Sequence, residues 1–403
     1  MQNWLYPGTA VATEMDIVSG NPLDRTFLTV LISIGLIALI KRKADWGQLA
    51  RNNIWVFLLF GYMGLSILWS GFPGVSLKRW IRTSGDLIMV LIVLTDPSPI
   101  EAIKKVTRRC AYLLIPLSVL FIKYFRHIGV MYGQHSGVTM WVGVTTHKNS
   151  LGQLACINAV LLVWNIIKNW KKKTELLIPF IILIMTLWIL RGPKGLTSKT
   201  ALFAFFIGLG ITSIILIGKN NSKKINKLIL GFTFIYLFLE ITSTLIFNQS
   251  VLELAVTSSG RDMTLTGRAD LWADLFRIAS EDFLLGKGYG GFWIGDLTHN
   301  LWIAHDWRPE SAHNGYIDVY LELGVVGFVI ILGIIISSYR NIIRSFDKNW
   351  EYGAIRLICF CMILFYNFTE SSLTKPTSFL WFIFLLVTVN TSLENDNKVQ
   401  KEK

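Results

Sequence analysis

Apolar residues gather along the chain in eleven runs, at 26–40, 54–69, 83–94, 110–125, 150–167, 175–190, 200–217, 226–247, 315–336, 355–366 and 379–390. A surface helix shows one apolar stripe, whereas these runs are apolar nearly all round, as lipid-embedded segments are. Several fall short of the roughly 20 residues that cross a bilayer, so flanking residues must complete them. The run 83–94 is the weakest: it begins near Leu77 or Trp80 and takes Arg82 and Asp86 to the bilayer edge. No regular ten-residue alternation of a barrel is present, which leaves helix as the spanning state. The expected fold is all-α, a polytopic membrane protein of about 11 (10–12) transmembrane helices. Residues 1–403 form one membrane domain, with a large polar loop over 248–314 and a tail over 391–403. Inside the loop, Leu271, Leu275, Phe276 and Ile278 predict an amphipathic helix over 268–282, lying on or near the membrane.

Composition supports this picture. Hydrophobic residues make up 52% of the chain and charged ones only 16%, against roughly 25% in soluble domains. The net charge is +13, and basic residues crowd alternate loops: Lys41 to Lys43, Lys104 to Arg109, Lys168 to Lys173, Lys219 to Lys224. Positive loops stay inside, so the amino terminus and the 248–314 loop are expected outside and the 391–403 tail in the cytoplasm. That charge is a topological signal with membrane lipids as its partner, and no nucleic-acid-binding pattern accompanies it. No cleavable signal peptide is visible at the start. Cys110, Cys156, Cys359 and Cys361 lie in or beside the runs, so they read as small packing residues.

Polar residues at the outer ends of the runs carry the chemical signal. Arg79 and Arg82, with Asp86, form either a snorkelling helix end or a cationic lining. Thr146-His147-Lys148-Asn149, then Gly152, opens a run, where a helix amino end favours an anion. The turn from Arg191 to Thr200 brings glycines and Lys199 to another helix start, with Thr197 or Ser198 as the cap. The large loop holds Arg261, Arg268, Asp270, Trp272 and Asp274, then the glycine-rich 286–293, then Glu310-Ser-Ala-His313-Asn314-Gly315 leading into a run that carries Asp318 and Glu322. The glycines forbid regular helix and allow close backbone approach, but they are not a Walker loop. All six histidines (127, 135, 147, 299, 305 and 313) fall on the outer side of this topology. Trp272, Trp293, Trp302 and Trp307 gather there too, suited equally to anchoring at the interface and to stacking on sugars. No metal-ligand motif or clustered aspartates call for a metal, and no cofactor is implied. Without nucleotide outside the membrane, a reaction there needs an already activated donor. A lipid diphosphate fits: cationic side chains can stabilise its leaving group, and His313 is the leading base for an acceptor hydroxyl.

Several elements resemble those of the bacterial O-antigen ligase and polysaccharide polymerase superfamily, and more closely its exopolysaccharide-polymerase branch. Thr146-His147-Lys148-Asn149-Ser-Leu-Gly152 resembles a His-Lys-Asn-x-x-Gly element, and Thr197-Ser198-Lys199-Thr200-Ala-Leu a Ser-Lys-Thr-x-Leu element in which ligases tend to carry Arg. Leu265-Thr-Gly-Arg268 with Trp272 resembles the loop start, Gly286-Lys-Gly-Tyr-Gly its glycine turn, and Ala312-His313-Asn314-Gly-Tyr-Ile-Asp318 the motif that ends the loop. The likeness spans about residues 60–390. The resemblance implies a metal-independent glycosyltransferase that uses an undecaprenyl-diphosphate-linked glycan as donor and a glycan as acceptor, in the bacterial cytoplasmic membrane. It implies His313, Arg268 and Lys199 as catalytic. Arg261 is a looser carry-over as a substrate-binding cation, and the reading of polar residues at the run ends adds Arg79, Arg82, His147, Lys148, Asn149, Arg191 and Asn314 as expected substrate-binding residues. Flippase and chain-length regulator proteins are the partners expected with such an enzyme. Lys199 and the His-Lys-Asn element favour a polymerase. The alternative is ligase-type transfer to a lipid core or protein. A transporter is disfavoured, because no repeat relates the two halves of the chain.

Overall fold

The computed structural model describes residues 22–42, 44–132, 139–193, 198–247, 266–305 and 307–390. Every apolar run is helical over most of its length. In chain order the helices are α1 (Pro22–Ile40), α2 (Trp46–Asn52), α3 (Ile54–Leu65), α4 (Pro73–Leu94), α5 (Pro99–Arg109), α6 (Ile115–Tyr124) and the single turn α7 (Arg126–Gly129). Then follow α8 (Lys148–Lys168), α9 (Lys173–Arg191), α10 (Lys199–Ile217), α11 (Ser222–Phe247), α12 (Thr266–Ala279), α13 (Asp296–Ala304), α14 (Gly315–Lys348), α15 (Trp350–Tyr366) and α16 (Phe379–Thr388). Among the described residues, strand is confined to β1 (Val130–Tyr132) and β2 (Thr139–Trp141), paired antiparallel.

Among the described residues, six helices are long and apolar enough to cross a membrane, or seven if α2 and α3, bent by 89° at Asn53, make one span. The reading of eleven runs counted shorter pieces. The run 110–125 is divided by a π turn at Cys110–Leu114, and α16 has 10 residues. Helix α4 starts well before the run at 83–94, with Pro73 at its first turn, and carries Lys78, Arg79, Arg82 and Asp86. Helices α1 and α11 lie at the periphery, with 11% and 12% of their apolar windows buried, against 67% for α8. Helix α8 packs against α9, α10, α15 and α16. Close approach to α10 needs Gly152: a Cβ there would lie 2.9 Å from both Ala201 and Ser198.

Helix α14 is broken at Gly324, whose φ of 63° and ψ of −165° lie outside the helical region. The break frees backbone groups that segment 283–288 uses. Lys287 N–H donates to the Leu321 carbonyl (3.0 Å), Gly288 N–H to Glu322 (2.9 Å), Val325 N–H to Phe283 (2.9 Å) and Val326 N–H to Leu284 (3.2 Å). The glycine-rich loop is thereby laced to the helix that follows His313.

The amphipathic helix predicted over 268–282 is α12 with a 3-10 turn at Ser280–Asp282. Its apolar face meets protein rather than lipid: Leu271 and Leu275 are fully buried in a cluster with Phe292, Trp293, Leu301, Ala312 and Leu321. Phe276 alone of the four predicted positions is exposed.

Candidate functional site

The strongest convergence of sequence-predicted residues lies where α12, the start of α14 and the segment after α15 meet. His313 sits just before α14 with φ of 48°, a left-handed conformation that costs energy for any residue but glycine. Asn314 caps α14, accepting from the N–H groups of Tyr316 (3.0 Å) and Ile317 (3.2 Å), and it donates Nδ2–H to the Phe368 carbonyl. Trp272 fixes the chain from the other side, donating Nε1–H to the Ala312 carbonyl at 2.8 Å. The strained backbone of His313 is thus held by bonds at both neighbours.

The His313 ring meets Glu370, with Nδ1 3.2 Å from Oε2. The other Glu370 oxygen, Oε1, lies 3.7 Å from Arg268 Nη2, and Arg268 Nη1 donates to the Thr369 carbonyl at 2.8 Å. One carboxylate thus bridges the predicted base and a predicted cation, all three largely buried. Burial pulls the Arg268 guanidinium below its ordinary value, and the Glu370 carboxylate pulls it back. Trp307, an exposed ring, lies 5.5 Å from the His313 ring.

The Ser-Lys-Thr element reaches this cluster through its threonine: Thr369 Oγ1 donates to Thr200 Oγ1 at 3.0 Å. Ser198 caps α10. Lys199 is exposed at the first turn. The His-Lys-Asn element joins through its backbone, as the Tyr366 hydroxyl donates to the Asn149 carbonyl at 3.2 Å. Lys148 and Ser198, with Gly192, line one cavity of about 20 Å³, which is water-sized.

His147 departs from expectation. It caps α8 itself, with Nδ1 accepting the Asn149 N–H at 3.2 Å, so Nδ1 must be unprotonated. Surrounding protein desolvates the ring despite its exposed edge and pushes its pKa down; Lys148 and His313 add to this while Glu370 opposes it. The cap occupies part of the helix end that seemed open to an anion.

Arg79 also has another task. Its Nη1 donates to the Gly290 carbonyl at 2.6 Å, bracing the glycine-rich loop. Arg82 and Asp86, one helical turn apart, make no ion pair within 4.0 Å among the described residues, and Asp86 accepts the Thr377 N–H (3.2 Å). Arg191 is exposed at the end of α9. Arg261 lies outside the described residues.

Beneath the glycine-rich loop is a second polar cluster. Lys375 Nζ lies 3.2 Å from Asp318 and 3.9 Å from Glu322. Asp318 accepts from Trp293 Nε1–H and Ala312 N–H, each at 3.0 Å, and Glu322 accepts the Gly290 N–H at 3.1 Å. Burial alone would lower the Lys375 ammonium, but the two carboxylates outweigh it and raise the value. This buried network orders the loop under the site.

Sequence reasoning missed Glu370, Thr369 and Lys375. The signal was a polar stretch, Asn367 to Ser378, set between two apolar runs and placed outside by the alternation of loops. Nothing local in that stretch marks its distance to His313.

Helices able to span a membrane, with a buried His–Glu–Arg cluster at one end of the bundle, define a multi-pass membrane protein with a polar site where helices and loop meet. Residues 195–332 match the family model described as O-Antigen ligase, a segment that includes Lys199, Arg268 and His313 and ends before Glu370. The chain is 21% identical over 338 residues to the exopolysaccharide production protein ExoQ of Rhizobium meliloti (strain 1021), covering 77% of this chain and 71% of that protein. The two matches agree with the motif reading: the chain is similar to the O-antigen ligase and polymerase family, on its ExoQ-like side.

Proposed function

We propose that the protein is a polysaccharide polymerase of the cytoplasmic membrane, joining undecaprenyl-diphosphate-linked oligosaccharide repeats at the outer face, where the 248–314 loop lies. The bridging of His313 and Arg268 by Glu370 carries this reading. With the Nδ1 hydrogen directed to Glu370, the Nε2 lone pair is left as a base. His313 takes the proton of an acceptor sugar hydroxyl, and the oxygen attacks the anomeric carbon. The bond from that carbon to the diphosphate breaks, with inversion, and undecaprenyl diphosphate leaves. Arg268 and Lys199 offset the charge that develops on the leaving group. Arg268 has Nη1 on the Thr369 carbonyl and Nη2 beside Glu370, and meets the diphosphate with its remaining N–H groups. Trp307 offers a face to a sugar ring beside the base.

The description of the matching family favours a second reading, ligase-type transfer of a finished glycan to a lipid core or protein. Reconstitution separates the two. Purified protein with lipid-linked repeat units as the sole glycan should yield a ladder of longer lipid-linked chains. Product formed only after a lipid-core or protein acceptor is added would establish the ligase reading instead.

A further inference from the structure

At the far end of α8 from His147, a cavity of about 450 Å³ opens between α5, the π turn, α8, α9 and α15. At 1.5 Å rise per residue, Trp164 lies ~24 Å along the helix from Lys148. The volume falls within the roughly 300–1,000 Å³ of small-ligand pockets.

Its deep wall holds unfinished hydrogen bonding. Trp164 is 6% exposed, and among the described residues its indole N–H has no acceptor. Buried donors are nearly always paired, so this one requires an explanation. Beside it, Asn158 is 2% exposed and donates one N–H to the Leu154 carbonyl at 2.7 Å, which leaves its second N–H and its carbonyl for other partners. Across the cavity, Pro179 interrupts α9 and has no N–H, so the Glu175 carbonyl lacks its usual helical donor. The π turn that borders the cavity through Ala111 and Tyr112 is a feature that recurs at functional sites.

The open side carries both signs of charge, Lys104, Lys105 and Arg108 against Glu101, Glu175 and Glu351, with Glu175 paired to Lys172 outside the cavity lining at 3.2 Å. Lys104 is committed to Glu101 and Glu351, each at 3.0 Å, and Lys168 also pairs with Glu351. Lys105 and Arg108 also line the cavity, and no ion pair within 4.0 Å engages either of them among the described residues. Leu161, Leu162 and Ile178 give the remaining wall an apolar character. A ligand matching this lining has anionic oxygens near Lys105 and Arg108, an acceptor within reach of the Trp164 N–H, and a carbon portion against the leucines.

We propose that this cavity is a second ligand site, remote from His313, that takes a phosphoester with an apolar or glycerol-like portion. Such a group comes either from a phospholipid headgroup or from a soluble phosphoester, and both meet the same side chains. The site places ligand recognition on α8 and α15, the helices whose opposite ends carry His147 and the segment leading to Glu370.

The test uses the purified full-length protein in detergent. Native mass spectrometry measures retention of dioleoylphosphatidylglycerol against dioleoylglycerol, which has the same chains without phosphate. Glycerol 1-phosphate is titrated in parallel against the melting temperature. Phosphatidylglycerol retained at least tenfold over dioleoylglycerol, with no response to glycerol 1-phosphate, assigns the site to a lipid headgroup. A melting temperature raised by glycerol 1-phosphate, with displacement of the lipid, assigns it to a soluble phosphoester. In either case Trp164→Phe and the double variant Lys105→Ala/Arg108→Ala should each reduce the effect at least fivefold while melting cooperatively. Absence of both effects in the parent overturns the proposal, as does a phosphate preference that survives in both variants.

Discussion

Glu370 determines what His313 can do. A histidine before a helix could serve merely as an anchor, but this ring has a carboxylate 3.2 Å from Nδ1, which orients it and selects its tautomer. His313→Ala should lower kcat by about 100- to 10,000-fold, the range for losing a general base, while the donor KM stays within about threefold. Glu370→Gln keeps the shape and removes the charge, so it should lower kcat less than His313→Ala does and again spare KM. Single-turnover and steady-state assays on both variants would measure the split. Unchanged kcat in His313→Ala would remove it as the base. His147 makes a separate prediction. Its pKa in the folded protein lies below its ordinary value, because burial and Lys148 disfavour the imidazolium. The neutral cap therefore contributes fully above about pH 6.5, the ordinary histidine value, and its contribution is lost as pH falls through that value to the folded one. His147→Asn substitutes a cap that does not titrate. Melting curves of the two proteins should diverge toward acid, with the variant losing less; parallel curves across the pH range would contradict the cap's protonation requirement.

Gly324 is the element-scale pivot. A regular helix through 315–348 would pair the Leu321 and Glu322 carbonyls internally, and the glycine-rich loop would have no edge to bind. At φ 63°, an added Cβ would lie 2.3 Å from the Leu284 carbonyl oxygen. Both strain and collision oppose any side chain, so Gly324→Ala should cost about 1–3 kcal/mol and lower the melting temperature. Gly231 in α11 is the contrasting case: a Cβ added there would meet nothing within 4 Å. Gly231→Ala should therefore be neutral or stabilise by about 0.5–1 kcal/mol, the usual gain in a helix interior. Thermal melts of the pair would reveal a generic helix effect if the two shifts had the same sign. The same lacing explains α12: once the loop is fastened to α14, Leu271 and Leu275 find protein to bury against and need no lipid.

At the scale of the molecule, His147, the Ser198–Thr200 element, Arg268, His313 and Glu370 share one end of the bundle, while Lys104, Lys105, Arg108, Lys168 and Glu351 share the other. Basic residues at one end are the pattern of a cytoplasmic face. Single-cysteine variants labelled with a membrane-impermeant reagent test the orientation. Position 300 should react in intact cells and position 172 only after the membrane is opened; the reverse would invert the topology and place the proposed chemistry on the nucleotide-containing side. The native cysteines are buried or half-buried, so the background should be low.

Helix at each apolar run was determined by the sequence alone, because a chain in lipid must satisfy its backbone hydrogen bonds within the segment. The family resemblance was legible as well, since its motifs are short and keep their order. His313 and the Ser-Lys-Thr element stood out in the sequence because they sit at ends of runs where polar groups are conspicuous, and Arg268 because it falls in the polar loop between runs. The continuity of the helices was less legible: hydropathy registers apolar length, but it does not register a π turn at 110–114 or an 89° bend at Asn53. Partners were decided only by tertiary structure. That Glu370 holds both His313 and Arg268, that Arg79 braces Gly290, and that Lys375 serves Asp318 and Glu322 depend on packing between helices far apart in sequence. Hydropathy and motif spacing describe neighbours along the chain. A carboxylate bridge joining residues 268, 313 and 370 exists only after α12, α14 and α15 have packed.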